Sequence, residues 1–236
     1  MGHKQSIKQN EKNITNYGLH FSERTSVLTG QKRIYWNTLG GAIPVGAFSE
    51  SSGTYNTAGY ATTGASFNIN FNYRLNDWIG LSISSVGAAN SINAEKLISS
   101  NISASGLSYS IDKASSMSCF LIGGMIKKQS FPLYGKIQIG YGSVKTAELT
   151  LSDFTTSATF KQSDPAYGFA YNLGVGALFS LSNRWALTAS IDYVSCLGKP
   201  SVTLVDNSTG DKSYSPTFDY GQNYIGAQIG IGYMFQ

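Results

Sequence analysis

Apolar and polar residues alternate along most of the chain from residue 34 onward. The alternation is clearest in residues 64–74 (GASFNINFNYR) and recurs in residues 166–181, 185–194 and 225–235. A period of two residues is the pattern of a β-strand with one apolar face. These runs are longer than the strands of about 5–6 residues common in soluble proteins. They match the length of about 9–11 residues that a tilted strand needs to cross a membrane.

Eight such runs predict eight strands, at about residues 34–46, 61–75, 78–89, 115–127, 133–147, 166–182, 185–195 and 223–235. Short polar turns follow the second, fourth and sixth strands. The other connections are the long loops 47–60, 90–114, 148–165 and 196–222, rich in Ser, Thr, Asn and Gly, which we expect to impose little structure of their own. Short turns at one end and long loops at the other predict an all-β fold, an eight-stranded antiparallel up-and-down transmembrane β-barrel.

The composition favours a membrane barrel over a soluble barrel or a β-sandwich, which would also show alternation. Charged residues are 13% of the chain, about half of the roughly 25% usual in soluble proteins. The non-apolar faces of the strands are Gly, Ser, Asn and Thr, which suit a narrow lumen. Aromatic residues also cluster near the strand ends, as in the interfacial girdles of membrane barrels. One predicted group lies beside the short turns (Tyr73, Trp78, Phe131, Phe179, Trp185, Tyr233 and Phe235), the other nearer the long loops (Tyr60, Tyr141, Tyr167 and Tyr193).

The net charge of +4 comes entirely from the first 33 residues. Residues 1–33 therefore form a polar, basic leader, which we expect to be flexible, and residues 34–236 form the barrel domain. The barrel has no surplus of positive charge for binding nucleic acid. The leader also lacks the apolar stretch of a signal peptide.

Histidine and cysteine bear on whether the barrel could be an enzyme. His3 and His20 are the only histidines, and both lie in the leader. A histidine-based catalytic site or metal site within the barrel is therefore not expected, and we predict no catalytic residue, no metal and no cofactor. Cys119 and Cys196 fall in the predicted fourth and seventh strands, which are not neighbours in an eight-stranded meander, so we expect two free thiols.

Two groups of residues are candidates for a site. Arg74, Lys136 and Asp192 have lumen-facing parity, and we expect a buried hydrogen-bonded network that plugs the barrel; an ion path is the alternative. Aromatic residues of the long loops are candidates for protein recognition, although they could equally pack the loop base or lie at lipid headgroups. They are Tyr55, Tyr109, Phe154, Phe160, Tyr214 and Phe218.

Several segments resemble the Ail/Lom/OmpX group of small outer-membrane proteins, which share the OmpA-type barrel architecture. Residues 71–81, from Phe71-Asn72-Tyr73-Arg74 through a turn to Trp78-Ile79-Gly80-Leu81, are similar to the first periplasmic hairpin of that group. Residues 133–145, 166–176 and 185–193 resemble its fifth, sixth and seventh strands, and residues 230–235 resemble its C-terminal signal. The leader, the greater length and Gln236 after the usual terminal aromatic depart from the group.

The resemblance implies a bacterial outer-membrane location and loops that bind host matrix proteins or complement regulators, although the loops themselves show no match. We therefore expect a non-enzymatic protein that presents extracellular loops for adhesion or for binding host or surface factors. The expected partners are the lipid bilayer, lipopolysaccharide and a host or envelope protein. A structural or assembly role, with a periplasmic contact made by the leader, is the main alternative, and a narrow pore is a third.

Overall fold

A computed structural model describes residues 33–52, 57–101, 108–128, 131–153, 156–162, 164–210, 212–214 and 217–235. The strands in these ranges are, in chain order, β1 (Arg33–Pro44), β2 (Gly64–Arg74), β3 (Ile79–Asn90), β4 (Ser108–Lys113), β5 (Ser115–Ile126), β6 (Leu133–Lys145), β7 (Glu148–Ser152), β8 (Ser157–Lys161), β9 (Ala166–Ser180), β10 (Trp185–Cys196), β11 (Thr203–Asp206), β12 (Lys212–Tyr214) and β13 (Gln222–Phe235). One helix, α1 (Ala94–Asn101), and a short 3-10 helix, Gly46–Phe48, accompany them. No helix in the described ranges is long and apolar enough to span a membrane.

Eight of the strands form a closed antiparallel barrel in the order β1-β13-β10-β9-β6-β5-β3-β2. The first and last strands close it, with Leu39 opposite Ile229 and Ile43 opposite Ile225. Each barrel strand begins and ends within three residues of its predicted bounds. The predicted eight-stranded up-and-down barrel is confirmed. The first barrel strand starts at Arg33, the last residue of the predicted leader; the rest of that leader lies outside the described residues.

The apolar faces of the barrel strands point outward. Ile229 is 70% exposed and Leu173 is 47% exposed, whereas Asn70 and Asn172 are fully buried. This inverts the arrangement of a soluble protein, because the large side chains face the surroundings and the amides face the interior. Exposing such an apolar band to water would cost free energy, whereas the hydrocarbon core of a membrane covers it without that cost. The protein is therefore an integral membrane β-barrel of the bacterial outer-membrane type, a class in which the short turns lie on the periplasmic side.

Aromatic side chains mark both ends of this apolar band. Trp78, Phe131 and Trp185 are exposed near the short turns, and Tyr141 and Tyr167 stack on each other toward the loops, with ring centroids 6.0 Å apart. Tyr60 was wrongly predicted to belong to the loop-side girdle. Its side chain is 1% exposed, because it packs in a hydrophobic core that the long loops form.

The lumen is filled in three layers. An apolar layer near the turns contains Ile34, Trp36, Met125, Tyr134, Leu178, Ala186 and Met234. A second apolar layer near the loops includes Val86, Met117, Cys119, Leu121, Val144, Val194, Cys196 and Tyr224. Between them lie buried polar residues, among them Asn68, Asn70, Ser82, Ser84, Lys136, Gln138, Asn172, Ser190, Asp192 and Gln228. An eight-stranded barrel has room for little more than its own side chains, and here they occupy the lumen at every level.

Candidate functional site

The long loops fold into a second sheet above the barrel. Five strands pair in the order β12-β11-β8-β7-β4, so that the loops 90–114, 148–165 and 196–222 become one unit. We call this sheet together with α1 the cap. The expectation that the loops impose little structure of their own is wrong, because β8 pairs with β11 from a different loop, and β7 pairs with β4 in the same way.

The cap has its own hydrophobic core. Ala58, Tyr60, Ala94, Leu97 and Leu149 are buried together. Ala58 and Tyr60 come from the first long loop, Ala94 and Leu97 come from α1, and Leu149 comes from β7. Ile92, Ile111, Leu151 and Phe160 pack against this cluster. All four long loops contribute to the cap or its core, and burial of these apolar side chains stabilises their mutual arrangement.

Polar side chains form a hydrogen-bonded row on the other face of the cap sheet. Thr150 Oγ1 donates to Asp112 Oδ2 at 2.6 Å and lies 2.9 Å from Thr159 Oγ1. Thr159 in turn bonds to Asn207 Oδ1 at 3.1 Å. Asn207 Nδ2 donates to Ser157 Oγ at 3.1 Å, and Ser110 donates to Asp112 Oδ1 at 3.0 Å. These six residues form a row that crosses the sheet from β4 to the residue after β11. We call them the polar row: Ser110, Asp112, Thr150, Ser157, Thr159 and Asn207.

Two carboxylates of the cap are held in their charged form by hydrogen bonds. The hydroxyl groups of Thr150 and Ser110 lower the pKa of Asp112 below its usual 3.8. The side chain and backbone N–H of Ser208 lower the pKa of Asp206 in the same way. Asp112 is exposed to solvent and Asp206 is partly exposed, so the cap presents fixed negative charge beside its hydroxyl groups.

Hydrogen bonds at the barrel rim hold the base of the cap. Gln162, which follows β8, accepts through Oε1 from the backbone N–H of Thr146 at 2.8 Å. Within the rim itself, Gln222 Nε2 of β13 donates to the carbonyl oxygen of Lys145 of β6 at 2.8 Å. Ser115 Oγ accepts from the N–H of Ala147 at 3.0 Å. These bonds fix the cap over the loop-side apolar layer of the lumen.

The lumen contains the predicted polar network in part. Lys136 Nζ lies 2.8 Å from Asp192 Oδ1, and both side chains are at most 1% exposed. Lys136 also donates to Asn70 Oδ1 at 3.3 Å. Arg74 lies at the turn end of β2 and is only partly buried, near enough to Lys127 for its charge to act on that side chain. Lys136 and Asp192 therefore meet in the lumen, while Arg74 lies at its periplasmic mouth.

The two cysteines are free thiols, as expected, but they are not far apart. Both are buried in the loop-side apolar layer. A Cβ atom on Gly142 would lie 2.6 Å from Cys119 Sγ and 2.9 Å from Cys196 Sγ. Cys119 on β5 and Cys196 on β10 thus come together across the narrow lumen, although their strands are not hydrogen-bonded neighbours. Gly142 leaves room for both thiols.

The loop aromatics proposed for binding have different environments. Tyr109 on β4 is 46% exposed. Phe160 is half-buried against the cap core, and Phe218 is 2% exposed, with its ring 5.2 Å from that of Tyr220. Phe218 therefore packs at the base of the cap, which is the alternative to protein recognition that the sequence left open for these aromatics. Tyr214 belongs to β12, and Tyr55 and Phe154 lie outside the described residues.

Sequence reasoning missed the polar row. Its signal was present, since Leu149 and Leu151 alternate with Thr150 and Ser152 in residues 148–152. Such short runs were assigned to loops because they are no longer than the strands of a soluble sheet. In the described part of the chain, no cluster of three or more His, Cys, Asp or Glu residues is arranged to hold a metal ion.

The barrel is similar in fold to solved outer-membrane proteins. A major outer membrane protein from Thermus thermophilus is 12% identical, with 86% of this chain and 99% of that chain covered, at a TM-score of 0.48. OprG from Pseudomonas aeruginosa is 12% identical, with coverages of 87% and 96% and a TM-score of 0.46. Ail, the attachment invasion locus protein of Yersinia pestis, is 13% identical, with coverages of 87% and 99% and a TM-score of 0.44.

No protein-family model and no curated protein matches the chain. The likeness to these solved structures concerns the overall barrel.

Proposed function

We propose that the protein is a non-enzymatic outer-membrane scaffold that presents the cap for adhesion or for binding a host or surface factor. The single observation that carries this proposal is the cap itself. Loops with no binding task tolerate being short, yet here three long loops pair into one sheet and the first contributes to its core. A rigid platform lowers the entropy lost when a partner binds.

The polar row supports recognition of a polar partner. Ser110, Asp112 and Asn207 are exposed members of the row, and their hydrogen bonds to Thr150 and Thr159 orient them. Tyr109 of β4 is also exposed, but it alternates with Ser110 and so lies on the opposite face of the sheet from the row; its aromatic side chain is of a type enriched in protein interfaces. Oriented hydroxyl, amide and carboxylate groups on a rigid sheet favour specific hydrogen bonding.

The lumen gives little support to the alternatives of an enzyme or a pore. Its buried charges pair with each other, as Lys136 does with Asp192, and apolar layers lie above and below them. The two histidines belong to residues 1–32, outside the described residues. A structural role through that leader remains the competing proposal.

Cell adhesion distinguishes the cap from the leader. Bacteria that display the full chain should bind cultured epithelial cells or immobilised matrix protein, and the double variant Thr150→Val with Thr159→Val should bind less. Lys199→Gln, which alters an exposed cap-side residue away from the row, serves as a matched control. Surface levels are equalised by antibody labelling. Unchanged adhesion by the double variant, with loss on deleting residues 1–32, would favour the leader-based role.

A further inference from the structure

An apolar groove crosses the lipid-facing surface of the barrel at two glycines. Gly124 of β5 and Gly135 of β6 both point outward, and a Cβ at Gly124 would meet no atom within 4 Å. A Cβ at Gly135 would meet only the carbonyl oxygen of Gly174, at 3.9 Å. Ile126, Ile137 and Val175 stand beside these glycines with more than half of their surface exposed.

The groove has the size and lining of a ligand site. Its volume is about 700 Å³, within the range of roughly 300–1,000 Å³ of small-molecule pockets. Isoleucine, leucine and valine side chains form most of its wall. In a bilayer, a surface of this kind suits a hydrocarbon chain.

Cationic side chains stand at the turn end of the groove. Ile79 and Ile126 are paired at this end, and on the next rung the backbone N–H of Lys127 donates to the carbonyl oxygen of Trp78 at 2.8 Å. Lys127 Nζ donates to the carbonyl oxygen of Phe131 at 3.0 Å. Lys128 Nζ lies 5.3 Å from the centroid of the Trp78 ring. Lys127 alternates with outward-facing Ile126 and lies near Arg74 at the mouth of the lumen. Lys128 and the exposed Trp78 are thus held at the level of the lipid headgroups.

The two ends of the barrel differ in charge. The described residues of the turn end carry Arg33, Arg74, Lys127, Lys128 and Arg184 against Asp77. The described residues of the loop end carry Lys96, Lys113, Lys145, Lys161, Lys199 and Lys212 against Glu50, Glu95, Asp112, Glu148, Asp153, Asp164, Asp206 and Asp219. The positive end faces the periplasm, where the membrane leaflet consists of phospholipid. Basic residues at a membrane surface attract anionic headgroups.

We propose that the groove is a binding site for one anionic phospholipid of the periplasmic leaflet. One acyl chain lies in the groove over Gly124 and Gly135, and the phosphate contacts Lys128 beside Trp78. The assignment goes beyond the proposed function, because it concerns the opposite end of the barrel from the cap. A phospholipid is favoured over lipid A because the cationic residues lie at the periplasmic mouth of the groove.

Native mass spectrometry of the full chain, released from nanodiscs of equal phosphatidylglycerol and phosphatidylcholine, tests the site. The unmodified protein should retain phosphatidylglycerol in preference. Lys128→Gln should lower that retention about fivefold, the effect expected of one cation near an anionic surface, and leave phosphatidylcholine unaffected. Gly124→Leu combined with Gly135→Leu should reduce retention of both lipids by filling the groove.

Two variants elsewhere on the barrel are matched controls. Lys145→Gln removes an exposed lysine at the loop end, and Gly41→Leu fills an outward position whose nearest atom is likewise a carbonyl oxygen at 3.9 Å. Heat-dependent gel migration verifies that each variant folds. Equal retention of the two phospholipids by the unmodified protein would overturn the proposal. It would also be overturned by equal losses in the Lys145 and Lys128 variants, by unchanged retention in the double glycine variant, or by preferential retention of lipid A when it is added.

Discussion

Lys136 of β6 and Asp192 of β10 form their ion pair directly over Gly174 of the intervening strand β9. Both residues are register partners of Gly174, so the pair spans three strands within one rung of the barrel. A Cβ on Gly174 would collide with Asp192 Oδ1 and lie 2.6 Å from Lys136 Cε. The glycine therefore makes room for the ion pair between Lys136 and Asp192.

Removing one partner of this buried pair should destabilise the barrel strongly. Lys136→Met leaves the Asp192 carboxylate buried without its counter-charge, and we expect the free energy of unfolding to fall by about 3–5 kcal/mol. Urea unfolding in lipid vesicles measures the change. Lys113→Met, which breaks the exposed pair with Glu148, should cost at most about 1 kcal/mol. Equal effects of the two variants would show that the buried pair is not needed.

Gly174 should be coupled energetically to Asp192. Gly174→Ala is expected to destabilise the protein, because the new methyl group displaces the carboxylate. In an Asp192→Ala background the same change should cost about 0.5–3 kcal/mol less, the range of interaction energies between contacting residues. A double-mutant cycle by urea unfolding provides the measurement, with Gly135→Ala as the control for an open position. An additive cycle would contradict the steric explanation.

The outward face should tolerate apolar substitutions and resist charge. Ile229 lies near the middle of β13 and is 70% exposed to the membrane. Ile229→Lys should lower the free energy of unfolding by about 2–4 kcal/mol, the cost of lysine at the bilayer midplane. Ile229→Val keeps the surface apolar and should change stability little. If both variants unfold at the same urea concentration, Ile229 does not face hydrocarbon.

The cap should unfold independently of the barrel. Leu149→Asp places a charge in the cap core beside Tyr60 and Leu97, which burial makes unfavourable. We expect rapid proteolysis of the cap while heat-dependent gel migration still reports a closed barrel. Thr150→Val, one residue along on the opposite face of β7, is the control and should resist protease. Loss of the barrel in Leu149→Asp would mean that the two units fold as one.

The pairing of β4 with β7 should weaken in acid. The folded state depresses the pKa of Asp112, so the unfolded cap binds a proton more readily than the folded cap does. The stabilisation is therefore complete above the ordinary value of 3.8, and it is lost as the pH falls through the lower folded value. Amide hydrogen exchange in β4 at decreasing pH follows this loss. Asp112→Asn should reduce the pH dependence of exchange in this range, and an unchanged profile would contradict the role of the carboxylate.

The period-two pattern, together with the composition of the two faces, determined the barrel from the sequence, because large apolar residues on one face and small polar residues on the other indicate which face of each strand meets lipid. Phe67, Ile69 and Phe71 alternate with buried Asn68, Asn70 and Asn72, and this local signal needs no knowledge of the partner strand. Strand number, strand bounds and the sidedness of Lys136 and Asp192 could be predicted for the same reason. The polar character of the lumen could also be predicted, because the face of each strand that carries the amide side chains has to turn away from lipid.

Only the tertiary structure decided which distant residues meet. Closure of the barrel places Cys119 beside Cys196 and Lys136 beside Asp192, although neither pair lies on neighbouring strands. The cap is a clearer case, because Thr159 of one loop bonds to Asn207 of another at 3.1 Å. Short segments such as residues 148–152 have weak strand signals of their own. Their pairing depends on the rim of the closed barrel, which holds the ends of the loops close enough for their apolar side chains to be buried together.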